Sequence, residues 1–123
     1  MPYTRLRYHI IIATKRRFPW IDEEVRDFLY PVIRRQFSLN DGTAITIGGI
    51  EDHVHILGGI RPEVSVDSLI KSVKKDSAKA VRKRFVHRRK FKWQVGYTCF
   101  TANPFDMGEL IGYIENQREH HGW

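Results

Sequence analysis

Ala44-Ile45-Thr46-Ile47-Gly48-Gly49-Ile50-Glu51-Asp52-His53-Val54-His55-Ile56-Leu57 is the stretch that decides the fold. Side chains on a strand alternate between its two faces. Ala44 to Ile50 alternates as one strand and Asp52 to Leu57 as the next, and Glu51-Asp52 joins them most simply as a tight antiparallel hairpin. In the second strand His53 and His55 point the same way with their rings side by side. Val54, Ile56 and Leu57 around them make this an inner strand rather than a loop. Gly58-Gly59 and Pro62 are read as its end.

Working outward, residues 3–13 read as a strand rich in β-branched and aromatic residues, with both faces covered at Ile10-Ile11-Ile12. Lys15-Arg16-Arg17-Phe18-Pro19 breaks it. Asp22 caps a helix that opens with Glu23 and Glu24 and carries Val25, Phe28, Leu29, Val32 and Ile33 as its apolar stripe. Pro31 inside that pattern predicts a kink or break near Tyr30. Asn40-Asp41-Gly42 is a turn. Beyond the hairpin, Ser65 caps a helix with Val66, Leu69, Ile70, Val73, Ser77, Ala80, Val81 and Phe85 on one face. Residues 93–101 read as a fourth strand. Asn103 as cap and Pro104 at the first helical position open a last helix, with Leu110, Ile111 and Ile114 towards the core.

The order is strand, helix, strand, strand, helix, strand, helix. Its first six elements match the split βαβ pattern. The expected class is α+β: a ferredoxin-like (RRM-like) antiparallel sheet with helices on one face, plus a C-terminal helix that bears a tyrosine. At 123 residues the chain is read as one domain spanning 1–123.

Charge separates sharply along the chain. Residues 71–92 hold eleven Lys or Arg against one acid, Asp76, while the remainder carries ten basic and thirteen acidic residues. All of the net +7 therefore sits in one patch, and a patch implies a polyanionic partner. Lys71, Lys74, Lys75, Lys79, Arg82 and Lys83 fall on the polar face of the second helix and are the expected phosphate contacts; a merely solvated lysine face is the alternative. No apolar run approaches the roughly 20 residues that cross a bilayer, and no signal-peptide pattern is present. Cys99 stands alone, so nothing demands an oxidising compartment, and the expected location is cytoplasmic with no membrane.

The His pair can hold a divalent ion, with Asp52 close enough to orient an imidazole. A His-x-His strand also fits two structural or surface histidines. Two imidazoles leave an ion under-coordinated. Tyr113 and Gln117, four apart, share one helical face, and Gln117 offers an amide oxygen beside a phenol. Of the five tyrosines, Tyr113 is the one with a ligand-capable side chain at that spacing. An amphipathic-helix tyrosine at the edge of the core is the other reading of Tyr113.

The runs Asp52-His53-Val54-His55-Ile56-Leu57, Gly96-Tyr97-Thr98-Cys99-Phe100 and Gly112-Tyr113-Ile114-Glu115-Asn116-Gln117-Arg118-Glu119-His120-His121, with the basic helix after Ser65, together resemble the single-tyrosine HUH transposases. That family includes the small insertion-sequence transposases and the REP-associated tyrosine transposases. Tyr8-His9-Ile10 through Thr14-Lys15-Arg16-Arg17 resembles its first strand, so the likeness covers nearly the whole chain in order. It implies His53, His55 and Gln117 as ligands of Mg²⁺ or Mn²⁺ and Tyr113 as the nucleophile. It implies cleavage and rejoining of single-stranded DNA through a 5′-phosphotyrosine, with an imperfect hairpin as the recognised DNA. It also implies a homodimer with shared active sites, the tyrosine helix of one subunit commonly completing the other's site. Two nitrogen ligands suit Mn²⁺ better than Mg²⁺; both are expected to work. Only ten residues follow Tyr113, fewer than in many relatives, which leads us to expect a short or differently swapped tyrosine helix.

Two other classes fit parts of this pattern. One is a non-catalytic nucleic-acid-binding module of the same fold. The other is a rolling-circle replication initiator or relaxase, although Gln rather than Lys four residues after the tyrosine favours the transposase. Base preference is expected to come from aromatic stacking by groups such as Phe91 or Trp93.

Overall fold

The computed structural model describes residues 6–103 and 106–117. In chain order they form β1 (Leu6–Ala13), α1 (Glu23–Leu39), β2 (Gly42–Ile50), β3 (His53–Ile60), α2 (Val66–Arg84), β4 (Thr98–Thr101) and α3 (Met107–Glu115), with short 3₁₀ turns at Lys15–Arg17 and Val86–Arg88. The four strands lie in the order β2-β3-β1-β4, every neighbour antiparallel. This is the expected ferredoxin-like α+β arrangement.

One face of the sheet meets α1 and α2. Ile10, Ile12, Val54 and Ile56 pack there against Val25, Leu29, Ile33 and Phe37 of α1 and Leu69, Ile70, Val73 and Val81 of α2. Both helices start at caps legible in the sequence. Asp22 Oδ1 accepts from the Val25 amide at 2.9 Å, and Ser65 Oγ from the Ser68 amide at 3.2 Å. Such caps contribute about 1 kcal/mol each.

Several boundaries differ from expectation. Glu23–Leu39 is one helix through Pro31, not a helix broken near Tyr30. Pro31 lies on the exposed side of the helix, as does Asp27 four residues before it, the residue whose carbonyl loses its partner. Gly58 and Gly59 lie inside β3 rather than ending it. A Cβ on Gly58 would stand 2.8 Å from the Phe37 ring, so the glycine makes room for a large core side chain. The fourth strand is only Thr98–Thr101, and Trp93 contributes an isolated bridge to Thr14. Phe91 and Trp93 are buried in the core, 0% and 6% exposed, so neither can stack on a base. Trp93 Nε1 donates to Ser77 Oγ at 3.0 Å, which explains a serine on the apolar face of α2. Ala78, not Ala80, is buried on that face. The last helix begins at Met107 with Asp106 in the cap position rather than Asn103. The expected first helical residue, Pro104, and the expected strand start at Tyr3 lie outside the described residues. Among the described residues, no helix is long and apolar enough to cross a membrane.

Candidate active site

The opposite face of the sheet is built for chemistry. Strand pairing sets Thr98, Ile11, His55 and Gly48 side by side across β4, β1, β3 and β2. Alternation then puts Phe100, His9, Ala13, His53, Leu57 and Thr46 on that same face. His53 and His55 are 5% and 4% exposed, their ring centroids 5.0 Å apart.

Each imidazole meets a neighbouring side chain through its Nδ1. His53 Nδ1 lies 2.7 Å from Asp52 Oδ1, and because an ionised carboxylate only accepts, Nδ1 carries the proton and donates. Arg17 Nη2 is 3.2 Å from both Asp52 Oδ1 and His53 Nδ1. A guanidinium cannot accept and Nδ1 already donates, so Arg17 donates to the carboxylate. Burial pushes the Asp52 carboxyl up, but the hydrogen bonds from His53 and Arg17, with their charge, outweigh it and hold the carboxyl below its ordinary value. His55 Nδ1 lies 2.8 Å from His9 Nε2. Burial also lowers His9, favouring its neutral ring.

α3 brings Tyr113 to this pair. It lies across β2, with Ile114 fully buried against the sheet and Thr46 Oγ1 donating to Glu115 Oε2 at 3.1 Å. The approach is so close that a Cβ on Gly48 would stand 2.0 Å from the Ile114 carbonyl oxygen. The Tyr113 ring consequently sits edge-on to His55 at 5.8 Å and to His9 at 6.4 Å, still 38% exposed. Gln117 is 1% exposed, and its Nε2 donates to the Tyr113 carbonyl at 2.9 Å. Because that acceptor fixes the amide nitrogen, Oε1, the atom that could ligate, diverges from it.

Two grooves flank these residues. One, about 610 Å³, is lined by Arg17, His53, His55 and the segment from Gln94 to Thr98. The other, about 520 Å³, lies between β4 and α3, where His9, Phe100, Glu109 and Tyr113 face it. Phe100 is 57% exposed, an aromatic surface where Phe91 and Trp93 offer none.

The structure thus brings Asp52, His53, His55 and Tyr113 together, with Gln117 buried one turn beyond the tyrosine. The basic residues of α2 belong to the other layer. Lys71 pairs with Asp67 at 2.9 Å, Lys74 Nζ donates to the carbonyls of Gln94 and Gly96 at 2.7 and 2.6 Å, and Arg82 Nη1 donates to that of Phe91 at 2.9 Å. Lys75, Lys79 and Lys83 are exposed. The expected phosphate row is therefore mixed: Lys74 and Arg82 brace the loop that walls the larger groove.

His9 and Arg17 were not singled out by the sequence. The signal for His9 was its alternation with Ile11 and Ala13 in a strand that must neighbour β3. Arg16 and Arg17 both take left-handed φ, 53° and 56°, which bulky side chains adopt at a cost of about 1–3 kcal/mol each. That turn aims Arg17 at Asp52. Among the described residues no three His, Cys, Asp or Glu side chains cluster at ligand spacing.

The chain and its fold are similar to known proteins. The pattern of the family described as transposase IS200 like matches residues 2–117. The chain is similar to the ISDra2 transposase TnpA of Deinococcus radiodurans, 28% identical over 123 positions that cover 94% of this chain and 86% of that protein. Its fold is similar to the crystal structure of a transposase candidate from Deinococcus radiodurans R1, with a TM-score of 0.76 at 28% identity over 94% of this chain and 93% of that one. It also resembles a REP-associated tyrosine transposase bound to a REP hairpin, with a TM-score of 0.74 over 100% of this chain and 72% of that one. At 14% identity the last likeness shows the fold alone.

Proposed function

The chain belongs to the IS200-like transposase family, and on that premise we propose that Tyr113 cleaves and rejoins single-stranded DNA through a 5′-phosphotyrosine. The observation that carries this reading is the Tyr113 ring lying 5.8 Å from His55 on the site face, with α3 seated on its own chain's sheet. The phenolic oxygen attacks phosphorus, the bond from phosphorus to the 3′ oxygen breaks, and the proton lost from the phenol is balanced by one gained at the 3′-hydroxyl. The ester's energy is kept in the new link, so the reverse attack by another 3′-hydroxyl needs no ATP.

His53, His55 and Gln117 are the residues that would hold Mg²⁺ or Mn²⁺, and their donor set of two imidazoles and an amide oxygen fits such an ion. When bound, a divalent ion polarises the scissile phosphate and offsets its developing charge. Asp52 fixes the His53 ring, and Arg17 stands at the edge of the larger groove where a flanking phosphate would pass. Nucleotides on either side of the scissile bond would occupy the two grooves, with Phe100 as a stacking surface in the smaller.

A hairpin is the recognised DNA in this reading, its phosphates on exposed Lys75, Lys79 and Lys83, and a homodimer is its assembly. A denaturing gel tests the chemistry. The unmodified protein should form a covalent adduct with a single-stranded oligonucleotide in Mg²⁺ or Mn²⁺, and Tyr113→Phe should bind the same DNA without adduct. An adduct from the phenylalanine variant would remove Tyr113 from the role. Binding without any adduct in the unmodified protein would favour a non-catalytic module.

A further inference from the structure

We propose that His9 is a positioning residue: it accepts the Nδ1 proton of His55 and so sets the tautomer in which His55 can ligate a metal. The inference rests on the metal-site reading above and adds a residue to it. The two ligand histidines are held in different ways. His53 donates to a carboxylate on its own strand, Asp52, at 2.7 Å. The residue before His55 on its own strand is Val54, not an acid; His55 Nδ1 meets the Nε2 of His9, on the adjacent strand, at 2.8 Å.

One proton lies between these two nitrogens, and its position decides what His55 can do. If His55 Nδ1 donates, the lone pair of the ring is on Nε2, which then resembles Nε2 of His53. If His9 Nε2 donates instead, a neutral His55 carries its proton on Nε2 and cannot ligate through it. Ligation by both histidines through the same atom therefore requires His9 to act as acceptor, with its own proton on Nδ1. Position reinforces this role. His9 is paired across β1 and β3 with Leu57, two residues beyond His55, and its ring stands 5.0 Å from that of His55 and 6.4 Å from that of Tyr113. It touches the ligand on one side and the nucleophile on the other.

Two substitutions separate the acceptor from the packing. His9→Phe keeps a ring of similar size and removes the acceptor, whereas His9→Gln keeps an acceptor oxygen. Nitrogen-15 spectra of the imidazoles in the metal-free protein report the tautomer, and calorimetry with Mn²⁺ reports the site. The unmodified protein should show His55 protonated on Nδ1. His9→Phe should lose that single tautomer and bind Mn²⁺ about 10-fold more weakly, within the range for partners of metal-bound histidines. His9→Gln should recover both. An unchanged tautomer and Mn²⁺ affinity in His9→Phe, or equal losses in the two variants, would overturn the assignment of His9 while leaving the metal site standing. Mn²⁺ affinity that survives His53→Ala with His55→Ala would instead remove the metal site, and the task of His9 with it.

Discussion

A Cβ on Gly48 would stand 2.0 Å from the carbonyl oxygen of Ile114. Both atoms belong to regular backbone, β2 and α3, so no rotamer change relieves the clash. Carbon and oxygen need roughly 1 Å more, and the helix must move to give it. Burial of Ile114 holds α3 with about 1.5–3 kcal/mol, while overpacking costs about 1–3 kcal/mol. The terms are comparable, so Gly48→Ala should displace α3 and leave the α1–α2 core intact. An error of 1 Å in a reacting group can cost about 100-fold in rate. Cleavage should fall by that order while the melting temperature changes little; unchanged cleavage would mean that the helix is not held by this contact.

The same contact predicts how chains cooperate. Because α3 sits on its own sheet, Tyr113 and His55 of one chain face each other. Mixing Tyr113→Phe chains with chains carrying His53→Ala and His55→Ala should not restore cleavage. Restored cleavage would show that the tyrosine helix is exchanged between subunits.

Phe100 and Phe91 make opposite predictions although both are aromatic. Phe100→Ala should weaken single-stranded DNA binding by about 1–3 kcal/mol, the cost of one lost stacking platform, with little change in melting. Phe91→Ala should cost about 3–5 kcal/mol of stability because its ring is fully buried. Anisotropy and thermal melts on the two variants separate these outcomes.

The wall of the larger groove carries a pH limb. The hydrogen bond from Tyr97 to Asp67, 2.7 Å long, pushes the Tyr97 phenol up to about 12, with burial adding to it. A phenol raised in the folded state stabilises the fold fully below its unfolded value near 10, and the contribution is lost as pH climbs towards 12. Absorbance titration should show that late phenolate, and Tyr97→Phe should remove it. Persistence of the late step in the variant would assign it to another tyrosine.

Salt dependence addresses α2. If Lys75 and Lys79 meet phosphates, replacing both with Ala should flatten log affinity against log salt by about 1–2 units, nearly equally for all sequences. Lys74→Met should act otherwise: its ammonium is spent on the carbonyls of Gln94 and Gly96, so it should disturb the groove wall rather than the slope. An unchanged slope in the double variant would leave that face merely solvated.

What the sequence revealed was local. Alternation placed His53 beside His55, four-residue spacing placed Tyr113 over Gln117, and capping residues marked where α1 and α2 begin. What it hid depended on contacts between distant segments. His9 meets His55 across neighbouring strands, and alternation along β1 gives the face of His9 but not that partner. Phe91 and Trp93 have strand-like composition, yet they fold inward as loop residues because α2 offers them Ser77 and a core to fill. Gly58-Gly59 resembles a strand end until Phe37 is seen occupying the space above it. Pro31 resembles a break until it is seen on the exposed side of α1, together with Asp27, whose carbonyl it leaves without a partner.

Along β3, Val54 and Ile56 face the core while His53 and His55 face the site. A slip of one residue would turn two imidazoles into the apolar layer and two aliphatic side chains out of it. The sheet would then lose its core as surely as the site face lost its two histidines. Folding therefore acts as a proofreader of this active site: a molecule that has buried its core has, by that act, already aimed both histidines.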